Sequence, residues 1–267
     1  MSITFSTCWY NFKAKFDSSV YESWMHNMLS NVNNYYLVVY TDMEGYNIIQ
    51  KYLQPKIKII VKPYQKFHTF PYEKMWIENQ ERNVLLNDRI DWRVNMLWSE
   101  KIAFVRDTIH HQYFKTEFYG WCDIGYFRGR EHDLSKEELA NWPSSYKINH
   151  LLKDRVHYAM ICNNDYAIKH LYWLIQQKNE DGLPIEDIPM NQVSVGGGFF
   201  ILHKSMINWW YKTYYTKLKL YFDHKRLVKD DQIILADCVL SDMDKFCLWR
   251  ENNYRYDNWF QFQRNLL

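Results

Sequence analysis

An acidic residue, a glycine and an arginine follow a short apolar segment in the middle of the chain, at Asp123, Gly125 and Arg128. Residues 118–122 before them have the composition of a buried strand, and open α/β sheets bind ligands beyond the ends of strands. The carboxylate can face a metal or a diphosphate, the glycine lets backbone approach a ligand, and the guanidinium suits a phosphate. The same residues also fit an ordinary strand-to-turn junction, because aspartate and glycine favour turns.

Three successive glycines, Gly196, Gly197 and Gly198, precede the apolar residues 199–202. Glycines cost backbone entropy, so a local need for them is expected. They lack the spacing of a dinucleotide-binding loop and the lysine of a P-loop. We expect a substrate ring to lie against this bare backbone at the start of a strand, and a flexible loop is the alternative.

A pair of acidic residues, Asp230 and Asp231, stands with Gln232 before the apolar residues 233–236. Carboxylates are favoured at a helix N-terminus by the helix dipole, which alone explains the pair. One carboxylate could also face a cleft and act as a base or stabilise charge. The pattern therefore predicts a helix start and offers a candidate catalytic group.

The histidines are scattered, and His203 follows the apolar strand after the glycines. As a ligand, His203 could join Asp123 around a divalent ion. A histidine at a strand end is more often a hydrogen-bonded structural residue. The sequence has neither zinc-type Cys/His spacing nor a Gly-x-Ser-x-Gly motif.

Composition limits the class of protein. The chain has 267 residues, a formal charge of +2, 47% hydrophobic and 18% aromatic residues. The near-neutral balance argues against a dedicated nucleic-acid binder. Five cysteines without a CxxC motif favour reduced thiols and a cytoplasmic location. We find neither a secretory signal pattern nor an apolar run long enough to span a bilayer.

The first third of the chain predicts alternating strands and helices. Strands are expected at 3–8, 35–41 and 56–61, with a helix opened by a capping box at 19–22 and another at 44–53. This β-α-β-α-β order is the opening of a doubly wound sheet.

Later segments continue the pattern without an internal repeat or a clear linker, so a single domain is expected. The predicted elements are one long helix over 94–109, a strand ending at Asp123, a capping box at 135–138, a strand at 156–162 and helices at about 205–222 and 230–240.

Three segments carry a resemblance to a known family. They are residues 95–101 (NMLWSEK), residues 121–128 (WCDIGYFR), and Gly-Gly-Phe-Phe at 197–200 with the Asp-Asp-Gln at 230–232. Together with the first two strands they resemble the bacterial HtrL/YibB (WlaTC-like) family of glycosyltransferases, whose members carry W-x-D-x-G-x-x-R in mid-chain. The resemblance extends to about residue 240.

The resemblance implies a GT-A-like single α/β domain with a Rossmann-like mixed central sheet flanked by helices. Residues of about 1–125 would be its nucleotide-sugar-binding half and about 126–267 its acceptor-binding half. In such enzymes an Asp-x-Asp motif binds a divalent metal, Mn²⁺ or Mg²⁺, that bridges the diphosphate. Asp123 matches the first carboxylate, but Gly125 takes the place of the second. Metal could then be held by Asp123 with His203 or water, or be replaced by Arg128 and Lys101.

The roles implied for individual residues follow the same resemblance. The donor site would comprise Thr7, Cys8, Trp9, Tyr10, Asp42, Lys101, Asp123, Gly125 and Arg128. Gly196, Gly197 and Gly198 would shape the acceptor site. Asp231 or Asp230 would serve the reacting centre, as a base in an inverting enzyme or as a charge stabiliser in a retaining one.

The expected activity is sugar transfer from a nucleotide-sugar donor to a glycan or lipid-linked glycan, as in glycan biosynthesis, with at most peripheral membrane association. Gly125 in place of the second carboxylate motivates one alternative, a catalytically decayed protein that binds carbohydrate or nucleotide-sugar. A nucleic-acid-associated protein is a further alternative, against which the charge balance argues.

Overall fold

A seven-stranded sheet forms the centre of the computed structural model, which describes residues 3–267. Its strands in chain order are β1 (Ile3–Trp9), β2 (Tyr36–Thr41), β3 (Ile57–Val61), β4 (Phe118–Cys122), β5 (Val156–Met160), β6 (Val195–His203) and β7 (Phe246–Trp249).

Eleven α-helices surround the sheet within the described residues. They are α1 (Ser18–Leu29), α2 (Met43–Ile49), α3 (Glu73–Arg82), α4 (Trp92–Trp98), α5 (Lys101–His110), α6 (Lys136–Asn141), α7 (Ser145–Asn149), α8 (Asp165–Gln176), α9 (Ile207–Asp223), α10 (Asp231–Ser241) and α11 (Phe262–Asn265). Within this same range no helix is long and apolar enough to cross a membrane.

The order of strands across the sheet is β3-β2-β1-β4-β6-β5-β7. Every neighbouring pair is parallel except those that involve β6, which runs antiparallel to β4 and β5. The expected α/β class and mixed central sheet flanked by helices are confirmed. Strands from both predicted halves share this one sheet, and the division near residue 125 stays a prediction.

The five inner strands are buried on both faces, which explains why they were visible in the sequence as near-continuous apolar runs, whereas the edge strands β3 and β7 are partly exposed. Along β2, Val38 and Tyr40 belong to one hydrophobic core, whereas Leu37 and Val39 belong to another. Successive side chains of a strand point to opposite faces. The sheet therefore separates two cores, each of which contains residues from the whole length of the chain.

The single long helix expected over 94–109 is wrong, because the chain breaks between α4 and α5. The hydroxyl of Tyr215 donates to the carbonyl of Ser99 at 2.8 Å and accepts from the amide of Ala103 at 3.1 Å. These two backbone groups would otherwise bond each other in a continuous helix. The inserted tyrosine places Lys101 at the first position of α5.

Other local predictions have mixed outcomes. The capping box at Ser135 and Glu138 is confirmed. The one expected at 19–22 is wrong, since α1 begins one residue earlier, at Ser18, after Asp17. The glycine triplet lies inside β6 instead of before it. The sequence analysis did not predict α3, α8 or β7.

Candidate functional site

The carboxyl ends of β1 and β4 meet where the sheet changes its winding direction. From β1 the chain proceeds through β2 to β3 on one side, while β4 pairs with β1 on the other. Loops that leave two such strands diverge and open a crevice, in which doubly wound sheets bind ligands. Because β6 is antiparallel, its amino-terminal end, with Gly197 and Gly198, lies at the same edge.

A cavity of about 410 Å³ occupies this crevice. Its wall is formed by the end of β1, the segment up to α1, the α4–α5 region, the loop after β4, the glycines of β6, the start of α10 and a C-terminal segment. The predicted site residues that line it are Cys8, Trp9, Tyr10, Lys101, Asp123, Gly125, Arg128, Gly197, Gly198, Asp230 and Asp231.

Two carboxylates share one lysine at the floor of the cavity. The ammonium of Lys101 lies 3.2 Å from Asp123 Oδ1 and 3.1 Å from Asp231 Oδ2. It also donates to the carbonyl of Gly197 at 2.8 Å. The indole N–H of Trp121 donates to Asp123 Oδ1 at 2.6 Å. Three elements that are distant in sequence are thereby joined around one cation.

The two carboxylates differ in their access to solvent. The side chain of Asp123 is 42% exposed and faces the open cavity, whereas that of Asp231 is 7% exposed. Burial raises the pKa of Asp231 to about 6, against the opposing pull of Lys101 and with the help of the neighbouring charges of Asp230 and Asp123. Burial opposes the charge of Lys101, yet Asp123 and Asp231 outweigh it, so the pKa of Lys101 is raised.

Bare backbone in β6 makes room for these carboxylates. A Cβ atom on Gly197 would lie 2.4 Å from Asp231 Oδ2, and one on Gly198 would lie 3.1 Å from Asp123 Oδ2. The need for glycine anticipated from the sequence is therefore real at Gly197, but the group packed against it is a side chain of the protein itself.

The two carboxylates of the acidic pair at the start of α10 have different contacts. Asp230 caps the helix by accepting from the amide of Gln232 at 3.2 Å, and it pairs with Lys229 at 3.0 Å. Asp231 is the first helical residue and turns toward Lys101. Both residues line the cavity, but Asp230 caps the helix and Asp231 pairs with Lys101.

Two cations in the cavity have no carboxylate within salt-bridge distance in the described part of the chain. Arg128 lies over the ring of Trp24 at 4.3 Å and of Phe260 at 4.8 Å, and its Nε donates to the carbonyl of Gly125 at 3.2 Å. Lys15 lies over the ring of Trp98 at 4.8 Å. Burial lowers the pKa of both groups. Arg128 is half-buried, whereas Lys15 keeps much of its side chain exposed to solvent. Cations without a counter-charge are suited to an anionic ligand.

Several lining residues were not found by sequence reasoning. Lys15, Phe16 and Trp98 line the cavity, as do Trp259 and Phe260 from the C-terminal segment. Lys15 could have been found, because it lies in the loop that leaves β1. The C-terminal pair carries no motif and lies beyond the segments that resemble the family, so only the tertiary fold reveals it.

Four of the predicted site residues do not line the cavity. Thr7 is fully buried in β1, two residues before its end. The carboxylate of Asp42 accepts from the amide of Gly45 at 2.8 Å and caps α2. Gly196 faces Ile161, whose Cδ1 would lie 2.8 Å from an added Cβ.

His203 is the fourth, and its proposed pairing with Asp123 around a metal does not form. It lies opposite Phe118 at the start of β4, whereas Asp123 follows the end of that strand. Because β6 is antiparallel to β4, its last residue lies at the far edge of the sheet. There His203 contacts Glu117 at 3.2 Å and Ser205 at 2.8 Å.

The donor set does not fit the Mn²⁺ or Mg²⁺ that a GT-A enzyme with an Asp-x-Asp motif uses. Asp123 Oδ1 is already bonded to Lys101 and Trp121, and Gly125 supplies no ligand. A Cβ on Gly125 would lie 2.8 Å from Trp24. Within residues 3–267 no group of three or more His, Cys, Asp or Glu side chains is arranged to hold a metal ion.

Comparisons with known proteins add little to this geometry. No protein-family model matches the chain, and no curated protein is similar to it in sequence. Among solved structures, the chain is similar to 4-diphosphocytidyl-2C-methyl-D-erythritol synthase from Anaerococcus prevotii, with a TM-score of 0.42 and 11% sequence identity. The match covers 98% of this chain and 94% of that one.

Proposed function

We propose that the chain is a glycosyltransferase that moves a sugar from a nucleotide-sugar donor to a glycan or lipid-linked glycan acceptor. The observation that carries the proposal is the buried carboxyl of Asp231, whose pKa burial raises to about 6. It lies at the switch point of the mixed sheet, beside a cavity that also holds Lys15 and Arg128, which have no carboxylate partner among residues 3–267. A volume of about 410 Å³ is within the range of small-ligand sites.

The donor lies along the ends of β1 and β4. The base and ribose lie against the end of β1, where the largely buried Trp9 and Tyr10 form part of the wall and the exposed Phe16 supplies an aromatic surface. The diphosphate lies between Lys15 and Arg128, where it gains counter-charges that the protein leaves unpaired. Asp123, which faces the open cavity, adjoins the leaving group and the sugar.

Asp231 serves the reacting centre. A carboxyl with a pKa of about 6 is mostly ionised at neutral pH and is still more basic than an exposed aspartate. In an inverting reaction it takes the proton of the acceptor hydroxyl, whose oxygen bonds to the anomeric carbon as the bond from that carbon to the diphosphate oxygen breaks. The nucleoside diphosphate leaves with the electron pair. In a retaining reaction the same charge stabilises the oxocarbenium-like centre.

The alternative of a catalytically decayed carbohydrate-binding or nucleotide-sugar-binding protein rests on Gly125 in place of a second carboxylate. A protein that only binds its ligand gains nothing from a buried carboxylate with a raised pKa, because that group costs stability in its ionised form. The environment of Asp231 therefore favours an enzyme. Such desolvated carboxyls beside a specific charge partner are typical of active sites.

The test is a panel of nucleotide-sugars with UDP, GDP, dTDP and CMP carriers, incubated with the purified chain while the release of free nucleotide is followed. Thermal shifts with the corresponding nucleotides run in parallel, since a ligand at 100 times its Kd stabilises by about 2.7 kcal/mol. We expect stabilisation by at least one nucleotide and slow hydrolysis of its sugar. Stabilisation without any hydrolysis or transfer supports the binding protein, and no stabilisation by any nucleotide contradicts both.

A further inference from the structure

Three oxygen atoms converge on the ammonium of Lys101 from three separate parts of the fold. They are Asp123 Oδ1 after β4, Asp231 Oδ2 on α10 and the carbonyl oxygen of Gly197 on β6, at 3.2, 3.1 and 2.8 Å. Carboxylate and carbonyl oxygens are the ligands that hard divalent cations use in proteins. This cradle, defined by Asp123, Asp231 and Gly197, thus has the chemistry of a cation site, and a side chain of the protein fills it.

The fit of the ammonium to the cradle is complete. An ammonium has three N–H donors, and three oxygens lie within reach. The Lys101 side chain is only 9% exposed, so it has little contact with bulk water. Its position is fixed from behind by Tyr215, which breaks the helix so that α5 begins at Lys101. The lysine is therefore built into the cradle.

The charges around the cavity are sufficient to attract an anionic ligand without a metal ion. Asp257 pairs with Arg130 at 2.8 Å and Asp230 with Lys229 at 3.0 Å, and Lys101 stands between Asp123 and Asp231. Together Lys101, Asp123 and Asp231 carry one net negative charge. It is outweighed by two cations without a carboxylate partner among residues 3–267, Lys15 and Arg128. A divalent ion is not required to make the mouth of the cavity attractive to a diphosphate.

We propose that Lys101 permanently takes the place of the divalent cation in this site, and that the chain binds its nucleotide donor without metal through Lys15 and Arg128. This inference rests on the proposed function and names the way in which that site holds a diphosphate. The ammonium keeps the two carboxylates together and in position, and the free cations contact the phosphates.

The first test needs only the wild-type chain. Affinities for UDP, GDP, dTDP and CDP are measured by calorimetry in EDTA and again in MnCl₂. We expect at least one nucleotide to bind in EDTA, with a Kd that changes less than about threefold when Mn²⁺ is present. A nucleotide that binds only with Mn²⁺ overturns the inference and leaves the glycosyltransferase proposal standing. If none binds under either condition, both proposals fall.

The second test uses Mn²⁺ alone and does not depend on activity. Lys101→Met empties the cradle and leaves two carboxylates and a carbonyl facing one another, so this variant should bind Mn²⁺ at least about tenfold more tightly than the wild type. Adding Asp123→Asn should remove the gain. Lys15→Met is the matched control, because it deletes one positive charge from the same cavity without freeing the cradle, and it should not bind Mn²⁺ more tightly.

Wild-type Mn²⁺ affinity equal to that of Lys101→Met would overturn the inference, because the ammonium would then not occupy the cation position. Lys101→Met also leaves two buried carboxylates unpaired, which can unfold the chain. Lys101→Arg keeps the positive charge, so it tests the inference even if Lys101→Met does not fold. Its nucleotide Kd in EDTA should stay within about fivefold of the wild-type value. A requirement of this variant for Mn²⁺ in nucleotide binding would contradict the proposal.

Discussion

Helix α10 takes part in two networks of lysine and aspartate, through Asp231 and, six residues later, through Asp237. The two networks differ in their charge balance and in their access to the cavity. At the start of α10, Asp231 shares Lys101 with Asp123 beside an open cavity. Further along, Asp237 is fully buried and is bound by two lysines, Lys178 and Lys217. In the first network carboxylates outnumber lysines, and in the second lysines outnumber carboxylates.

The closed network is also saturated with hydrogen bonds. Besides the lysines, Asp237 accepts from the hydroxyl of Tyr221 at 2.9 Å and from that of Ser241 at 3.0 Å. Tyr221 and Lys217 fasten α10 to α9, and Lys178 fastens it to the chain that follows α8; none of these residues lines the cavity. A carboxylate so fully bonded has no capacity left for a ligand. The comparison teaches that a buried ion pair indicates a catalytic or binding site only where a net charge remains and a ligand can reach it.

The largest expected effect is the loss of activity in Asp231→Asn, which should distinguish Asp231 from Asp237. Asp231→Asn keeps the shape of the side chain but removes its charge, so kcat should fall by about 10²–10³ with little change in nucleotide affinity. Asp230, which caps the helix, is unchanged in this variant, so the start of α10 is preserved. Steady-state kinetics with the donor found in the nucleotide-sugar panel measures the effect. Normal turnover would reduce Asp231 to a structural residue like Asp237.

Asp237→Asn should produce the opposite result. The variant leaves Lys178 and Lys217 without their counter-charge in a buried site, which should lower the free energy of unfolding by roughly 3 kcal/mol. The kcat of the molecules that remain folded should be unchanged. Urea unfolding and active-site titration check the two parts. A loss of kcat without loss of stability would break the comparison.

Gly197→Ala sharpens the comparison without changing any charge. The added Cβ would lie 2.4 Å from Asp231 Oδ2, so the carboxylate must move. Small displacements of a reacting group can cost about 10² in rate, and we expect kcat to fall by about that much. Gly196→Ala is the matched control, since its Cβ meets the flexible end of Ile161 and should change kcat less than about twofold. Equal effects would indicate that the glycines serve the strand alone.

The pH dependence of the reaction should reveal the raised pKa of Asp231. The base is the ionised form, which predominates above its pKa of about 6. The rate should therefore fall as the pH decreases through 6 and be about tenfold lower at pH 5 than at pH 8. A kcat profile from pH 5 to 8, repeated with Asp231→Asn, tests this. An acid limb that persists unchanged in the variant would assign it to another group.

The smallest effect is expected at Asp230, the neighbour that caps the helix. Asparagine is a near-equivalent cap, so the loss of capping in Asp230→Asn should cost less than about 1 kcal/mol of stability, and kcat should change only slightly. The side chains of Asp230 and Lys229 are both largely buried, so their lost pairing should lower the free energy of unfolding further without changing kcat. A fall in kcat as large as that of Asp231→Asn would show that the pair acts as a unit.

The strands and much of the site were predictable because their signals are local. A parallel strand buried on both faces is a run of apolar residues, and the polar residues that end it mark the functional edge of the sheet. Asp123 after β4 and Tyr10 after β1 follow from that rule, and both line the cavity. Asp231 was visible as a helix start, and its second role depends on what packs against it.

What the tertiary structure alone decided is which of these residues meet. Lys101 reaches Asp123 and Asp231 because Tyr215, more than a hundred residues later, breaks a helix that periodicity predicts as continuous. His203 lies at the wrong edge because β6 is antiparallel, and strand direction is not encoded in the residues of the strand. Periodicity and turn chemistry act between neighbours in sequence, whereas the cradle is made of contacts between segments far apart in the chain.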